Sequence, residues 1–393
     1  METTHIFIVD TRTFKCHVEY MFAGTGAAPP QGTPERYIDF NSKSTTSFHP
    51  QTENNLVSMI ADSQRVRKGD YVIFYLQQNY SQNVYEGKFY GIFKAKENLS
   101  FLDNYDAGQF LKDVLGKSLT FRTLIEPYEV YSEGVTEWEA LDEIKYIQSP
   151  SQMLWSLIYR KLKGNRGNTM ITIYESERLF KLIRDKNKRK YLEGNNFTFD
   201  VSMQKIVKDE KSHQYTGRKE MIDILPRLAR KYNEGKAFEA HLQTYIVQNI
   251  GRNTNPSLDR SLIGGLPLEW IGNEVSCGVG MQRIDVMLPV INNNIRIAIA
   301  IELKPNEATT DTVFQLQRYV NWLEQYYIPN RISDIQPVLI SRQIVNKDQP
   351  YYNDIINSFK EFNRKNDRCL PLKYVEYELV HNNLEFKEEK YYE

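Results

Sequence analysis

The chain has 393 residues, 41% of them apolar and 25% charged, which are the proportions of a folded globular protein and not of a disordered or fibrous one. Lys and Arg total 50, as do Asp and Glu, so the net charge is zero and any affinity for nucleic acid has to come from local segregation of charge. Three widely spaced cysteines, Cys16, Cys277 and Cys369, argue against a disulfide framework, and neither a secretion signal nor a membrane-length apolar run stands in the sequence, so the expectation is a reducing cytoplasm.

The length favours two domains. The first 150 residues read as short strands rich in aromatic and β-branched side chains, at 5–10, 70–76, 88–96 and 119–127. Residues 24–50, rich in Gly, Pro, Ser and Thr, read as a long loop. At Ser149-Pro150 a helix is expected, since Leu154, Leu157, Ile158 and Leu162 recur at helical spacing behind a cap and a first-turn proline. Basic residues then crowd together: Arg160, Lys161, Lys163 and Arg166, followed by Arg178, Lys181, Arg184, Lys186, Lys188, Arg189 and Lys190. Residues 191–216 are polar and weakly patterned, which reads as a linker, with a connecting helix near 218–233.

Beyond it the order is helix (235–250), strand (281–289), strand (295–304), helix (310–327), strand (336–341), helix (351–364) and strand (373–380), the pattern of a mixed sheet with helices packed on it. Asn292-Asn293-Asn294 reads as a hairpin turn, because Asn tolerates positive φ. In IRIAIAIELK, Ile295, Ile297, Ile299 and Ile301 share one face, while Ala298, Ala300, Glu302 and Lys304 share the other. Paired across the turn, the preceding strand brings Asp285 close to Glu302. Two adjacent carboxylates repel and are costly to desolvate unless a hard divalent cation is shared between them, and Mg2+ is the natural one. Such an ion can turn a bound water into a nucleophile against a phosphodiester, with Lys304 placed to position that water or neutralise the transition state.

Asp285 followed by Glu302-Leu303-Lys304 resembles the PD-(D/E)XK nuclease signature. The flanks GVGMQRIDVML and IAIELKPNEATTDTVFQLQRYVNW resemble the nuclease domain of the NucS or EndoMS group. The resemblance covers roughly residues 235–345. It implies a restriction-endonuclease-like α/β/α fold, a site completed by Glu239, Gln315 and Tyr319, metal held by Asp285, Glu302 and Glu239, and Mg2+ as cofactor with Mn2+ able to substitute. Gln315 and Tyr319 lie one helical turn apart and project together, whereas Gln317 is turned away and reads as solvated. Arg283 joins the DNA-binding candidates.

The N-terminal half looks like a PUA-like β-barrel of the EVE kind, carried by VRKGDYVIFYL (66–76) and GKFYGIFKAK (87–96). That resemblance implies a reader of modified bases, with Tyr75, Tyr90, Trp138 and Trp155 as candidate pocket walls. The basic segment YRKLKGNRGNT suits phosphates, since guanidinium groups and backbone amides both donate. The six histidines are scattered and mark no second site, and His241 points away from Glu239 as a core or surface residue. The resulting domain expectation is a reading domain over 1–195, a linker and helix over 196–234, and a nuclease domain over 235–393. The expected activity is a Mg2+-dependent DNA endonuclease of restriction type, acting on double-stranded DNA as a homodimer and independent of membranes. Two alternatives stay open: a mismatch or repair endonuclease of the NucS type, and a non-cleaving reader of modified nucleic acid.

Overall fold

A computed structural model describes residues 3–26, 50–146, 167–277, 282–327 and 335–391. These residues form two compact units, one of residues 3–26, 62–146 and 167–222 and one of residues 50–61, 223–277, 282–327 and 335–391. The helix expected after Pro150 lies outside them.

The N-terminal unit contains strands β1 (Thr4–Val9), β2 (Phe22–Thr25), β3 (Tyr71–Leu76), β4 (Lys88–Ala95), β5 (Phe101–Leu102), β6 (Phe121–Pro127), β7 (Val135–Thr136) and β8 (Asn168–Ile171). They make one curled sheet in the order β2-β6-β4-β3-β1-β8, with β5 attached to β6 and β7 to β4. The strands at 5–10, 70–76, 88–96 and 119–127 are therefore present within a residue or two of expectation. Helix α1 (Thr11–Tyr20) was not expected, although Asp10 and Thr13 cap its start reciprocally, with the Thr13 amide donating to Asp10 Oδ1 at 2.8 Å. Both faces of the sheet are buried. Phe7, Val9, Phe74, Tyr90 and Phe93 point to the side covered by Phe14 and Val18 of α1, whereas Ile6, Ile73, Tyr75 and Phe89 point to the side covered by Leu179, Phe180 and Ile183 of a helix at Ile173–Lys186. Gly91 takes a φ of +115° beside the bulge where the β3–β4 register slips between Val72 and Phe74, a backbone state that side chains disfavour.

The expected linker is instead part of this unit. Residues 197–200 and 205–208 pair as a hairpin, β9 (Phe197–Asp200) with β10 (Lys205–Lys208), and bury Phe197, Phe199 and Ile206 in the α1 side of the core. The polar character of 191–216 concealed a period-2 alternation of large apolar residues, and the unit ends at Ile222.

In the C-terminal unit six strands follow in spatial order: β11 (Gly272–Ser276), β12 (Arg283–Asn292), β13 (Ile295–Leu303), β14 (Ile335–Arg342), β15 (Lys373–Val380) and β16 (Asn383–Glu389). β13, β14 and β15 are parallel and the remaining pairs antiparallel. Asn293 and Asn294 both take positive φ at the tip of the β12–β13 hairpin, as the run of asparagines predicts. Helices cover both faces. The Phe359 ring of the helix Pro350–Lys365 lies 5.2 Å from Tyr374, while Phe238, at the head of the helix Glu239–Asn249, lies 6.4 Å from Tyr377, which points to the opposite face of the same strand. The helix Thr312–Trp322 packs on β13 and β14. Gln317 of that helix is not merely solvated: its amide exchanges two 2.7 Å hydrogen bonds with Asn366, tying the helix to the end of its neighbour.

Two buried polar clusters fix this unit. Glu53 accepts from Arg227 at 2.7 Å and lies 2.8 Å from His241 Nε2, and these partners hold its carboxyl far below the usual range although burial opposes them. His241 is thus a core residue. Asn255 is buried as the cap of the helix Pro256–Leu262, its Oδ1 taking the Leu258 amide at 3.0 Å and its Nδ2 reaching Tyr245 and the Leu384 carbonyl. Asn255→Ala removes the cap and strands the Leu384 carbonyl. It is expected to cost about 2 kcal/mol, read as a lower urea midpoint at unchanged slope.

Candidate active site

The ladder between β12 and β13 is printed in the side-chain chemistry of the two strands. Its last pair is Val286 with Ile301, so Asp285 and Glu302 are the next opposed residues, at the end of the hairpin far from the asparagine turn. There the pairing changes from backbone to side chain: the Leu303 amide donates to Asp285 Oδ2 at 2.8 Å. On the other side of β13 the Lys304 amide still bonds the Ile340 carbonyl of β14, which holds the Glu-X-Lys segment extended.

Glu302 is 2% exposed and its two oxygens are separately engaged. Oε1 accepts from Lys304 Nζ at 2.6 Å, and Oε2 lies 2.5 Å from the Tyr319 hydroxyl. Lys304 Nζ also donates to Gln315 Oε1 at 2.7 Å. Tyr319 reaches the Arg283 carbonyl at 2.7 Å, and Gln243 donates to the Asp285 carbonyl at 2.9 Å. Burial, with Asp285 and Glu302 beside it, raises the Tyr319 phenol, so it remains a donor to the carboxylate.

The carboxyl of Asp285 stands well above the usual range, first because it is buried, then because Glu302 and Glu239 repel its charge; the Leu303 amide and Lys304 pull the other way. Glu239, the first residue of its helix, reaches solvent, yet burial of its carboxyl by the surrounding protein raises it too, with Lys304 opposing and Glu302 and Glu274 adding to the rise. The donors here are all oxygens and their negative charge exceeds the single ammonium of Lys304. That is the environment a hard divalent cation relieves, so the residues fit Mg2+. Among the described residues the carboxylates do not form a closed three-ligand cluster, and a Mg2+ ion that keeps several waters does not require one.

Asp285, Glu302, Lys304, Gln315 and Tyr319 are therefore brought together, and Glu239 is close enough to act on Asp285 electrostatically. Arg283 projects at the strand end and is ion-paired with Glu274 of β11, so its charge is compensated. Glu274 and Gln243 went unrecognised in the sequence. Glu274 sits on a strand masked by the Gly-rich run that follows it, and Gln243 acts through a backbone contact that no motif marks.

In the N-terminal unit the pocket candidates do not converge. Tyr75 and Tyr90 are core residues on opposite faces of the sheet, with hydroxyls committed to Glu137 at 3.0 Å and to the Gln204 carbonyl at 2.7 Å, while Trp138 is 66% exposed. Adjacent strand positions of opposite parity cannot line one pocket. Trp155 and the phosphate candidates Arg160, Lys161, Lys163 and Arg166 lie outside the described residues. The run beginning at Arg178 is less basic in space than in sequence: Arg184 pairs with Glu129 at 2.7 Å, Lys186 with Glu139 at 2.7 Å and Arg178 with Glu143 at 3.5 Å. The three cysteines are buried and unpaired, and no helix among the described residues is long and apolar enough to cross a membrane.

No protein-family profile matches the chain, and no curated protein matches it. Among solved structures it is similar to the human THYN1 protein in complex with 5-methylcytosine containing DNA, at 10% identity and a TM-score of 0.24, over 46% of this chain and 96% of that one. A superposition of that quality identifies no shared fold.

Proposed function

We propose that the C-terminal unit is a Mg2+-dependent endodeoxyribonuclease. The observation that carries this reading is the opposition of Asp285 and Glu302 where the β12–β13 ladder ends, with Lys304 clamped between Glu302 and Gln315. Asp285 and Glu302, with Glu239 near, are the residues that would hold the ion. A Mg2+ bound there supplies a nucleophilic water at neutral pH and charge stabilisation for a phosphodiester under attack. The remaining tasks fall to the chain itself. Lys304 sets a fixed positive charge beside the reacting phosphate, and Gln315 holds that ammonium in place. Tyr319 fixes the orientation of Glu302, and Gln243 steadies the backbone at Asp285. The resemblance of this segment to PD-(D/E)XK nucleases of the NucS or EndoMS group supports the same chemistry and a restriction-endonuclease-like sheet.

The finer reading is a restriction-type enzyme whose N-terminal unit directs it to a sequence or modified base, cutting both strands as a homodimer. A panel of modified, unmodified and mismatched duplexes, each incubated with the protein in Mg2+, separates the readings. Cleavage of modified or sequence-specific duplexes supports the restriction reading, and cleavage confined to mismatches supports a repair nuclease. Retention of modified duplex without cleavage of any substrate leaves a non-cleaving reader and overturns the nuclease.

A further inference from the structure

A second constellation lies in the N-terminal unit, apart from the proposed nuclease site. Glu19 stands near the end of α1, Asp209 follows β10, and His213 comes four residues later. Ligand atoms of all three lie within 4.8 Å of one another, and His213 Nε2 is 3.3 Å from Asp209 Oδ2. The side chains are sheltered but open to an entering ion, with exposures of 15% for Glu19, 16% for Asp209 and 25% for His213. Thr198 of β9 donates its hydroxyl to Glu19 Oε1 at 2.7 Å, and the Lys211 amide donates to Asp209 Oδ1 at 2.9 Å. Thr198 thus holds one oxygen of Glu19 from another element, the arrangement by which outer residues orient metal ligands, while the Lys211 amide closes a local turn on Asp209. The Tyr20 ring, 5.0 Å from the imidazole, forms a wall beside it. Lys15, half exposed and 3.8 Å from Glu19, is a loose counter-charge for two carboxylates.

We propose that Glu19, Asp209 and His213 bind one Zn2+ ion. An imidazole nitrogen with two carboxylate oxygens suits a first-row transition ion, whereas Mg2+ and Ca2+ favour oxygen ligands alone. Three protein ligands leave a fourth position to water. The donors come from α1 and from the segment after the hairpin, distant in sequence, so the ion clamps that segment to the helix and stabilises the unit by binding only its folded form. The proposal gives His213 a role that its scattered position in the sequence does not suggest, and it stands independently of the nuclease proposal.

The test is calorimetric titration of the chelator-stripped 393-residue chain with ZnCl2, with Mg2+ in excess to occupy the other carboxylates. A single Zn2+ per chain is expected in the wild type and in Glu302→Gln. His213→Ala and Asp209→Asn are each expected to weaken it about a hundredfold, and Thr198→Val, which removes only the hydroxyl behind Glu19, about tenfold. Zn2+ should also raise the Tm of the wild type and not that of His213→Ala, whose circular dichroism checks that the partly exposed substitution leaves the fold intact. Absence of Zn2+ binding by the wild type, or equal affinity in His213→Ala and Asp209→Asn, overturns the proposal. Loss confined to Glu302→Gln would overturn it as well, by assigning the ion to the C-terminal unit.

Discussion

Glu302→Gln is expected to lower Mg2+-dependent DNA cleavage by about a thousandfold while leaving the C-terminal unit folded. The substitution keeps the length of the side chain and an oxygen able to accept from Lys304, now 2.6 Å from Oε1. The Tyr319 hydroxyl retains the Arg283 carbonyl at 2.7 Å as an acceptor, so no buried donor is stranded. What disappears is the charge of an almost fully buried carboxylate beside Asp285, and with it the attraction for a cation. Glu302→Ala would remove the same charge but also the acceptor of Lys304 and Tyr319, adding a stability cost of about 1–3 kcal/mol. The glutamine variant is therefore the cleaner probe. Single-turnover cleavage rates, with urea midpoints as the control for folding, measure both effects.

Asp285→Asn is expected to lose cleavage to a similar degree, about a thousandfold, and yet to make the metal-free protein more stable at pH 8. Burial and the nearby Glu302 and Glu239 raise the Asp285 carboxyl above its unfolded value. A carboxyl shifted upward favours the folded state while it is protonated. Its contribution is complete below the usual carboxylate range and is lost as pH rises through the raised value, so at pH 8 the ionised group works against folding. Glu239, also raised, acts in the same direction. Asparagine keeps an oxygen for the Leu303 amide, 2.8 Å away in the parent, and removes the charge. Urea midpoints at pH 5 and pH 8, with and without Mg2+, check this. In the wild type Mg2+ should stabilise more at pH 8 than at pH 5, and the asparagine variant should show neither the Mg2+ increment nor its pH dependence. An equal increment at both pH values that survives Asp285→Asn would remove Asp285 from the ion's ligands.

The four inner strands of the C-terminal sheet were legible because they carry their own instructions, whereas the edge strands β11 and β16 were not expected. Alternation along 295–304 and the asparagine turn set the register, and register alone opposes Asp285 to Glu302. The helical spacing of Gln315 and Tyr319 likewise placed both on the face that meets Lys304 and Glu302. Where expectation failed, the deciding partner lay far away in sequence. Gln317 looked solvated because nothing local announces Asn366, and the basic run from Arg178 looked uncompensated because Glu129, Glu139 and Glu143 come from other elements. Tyr75 and Tyr90 looked like walls of one pocket until their strand parity placed them in two cores. The hairpin at 197–208 was hidden by its polar neighbours, and with it the approach of Asp209 and His213 to Glu19. A single sequence holds the periodicity of each element; it does not hold the pairing of side chains that only the closed sheet brings together.

We propose the Asp285–Glu302 pair as a cation-dependent phosphodiester-cleaving centre. Its most direct test compares cleavage of duplex DNA by the purified wild type in Mg2+, by the wild type in excess chelator, and by Glu302→Gln in Mg2+. Cleavage is expected in the first reaction and its loss in the other two. Cleavage that persists in folded Glu302→Gln, or that is indifferent to the chelator, would contradict it.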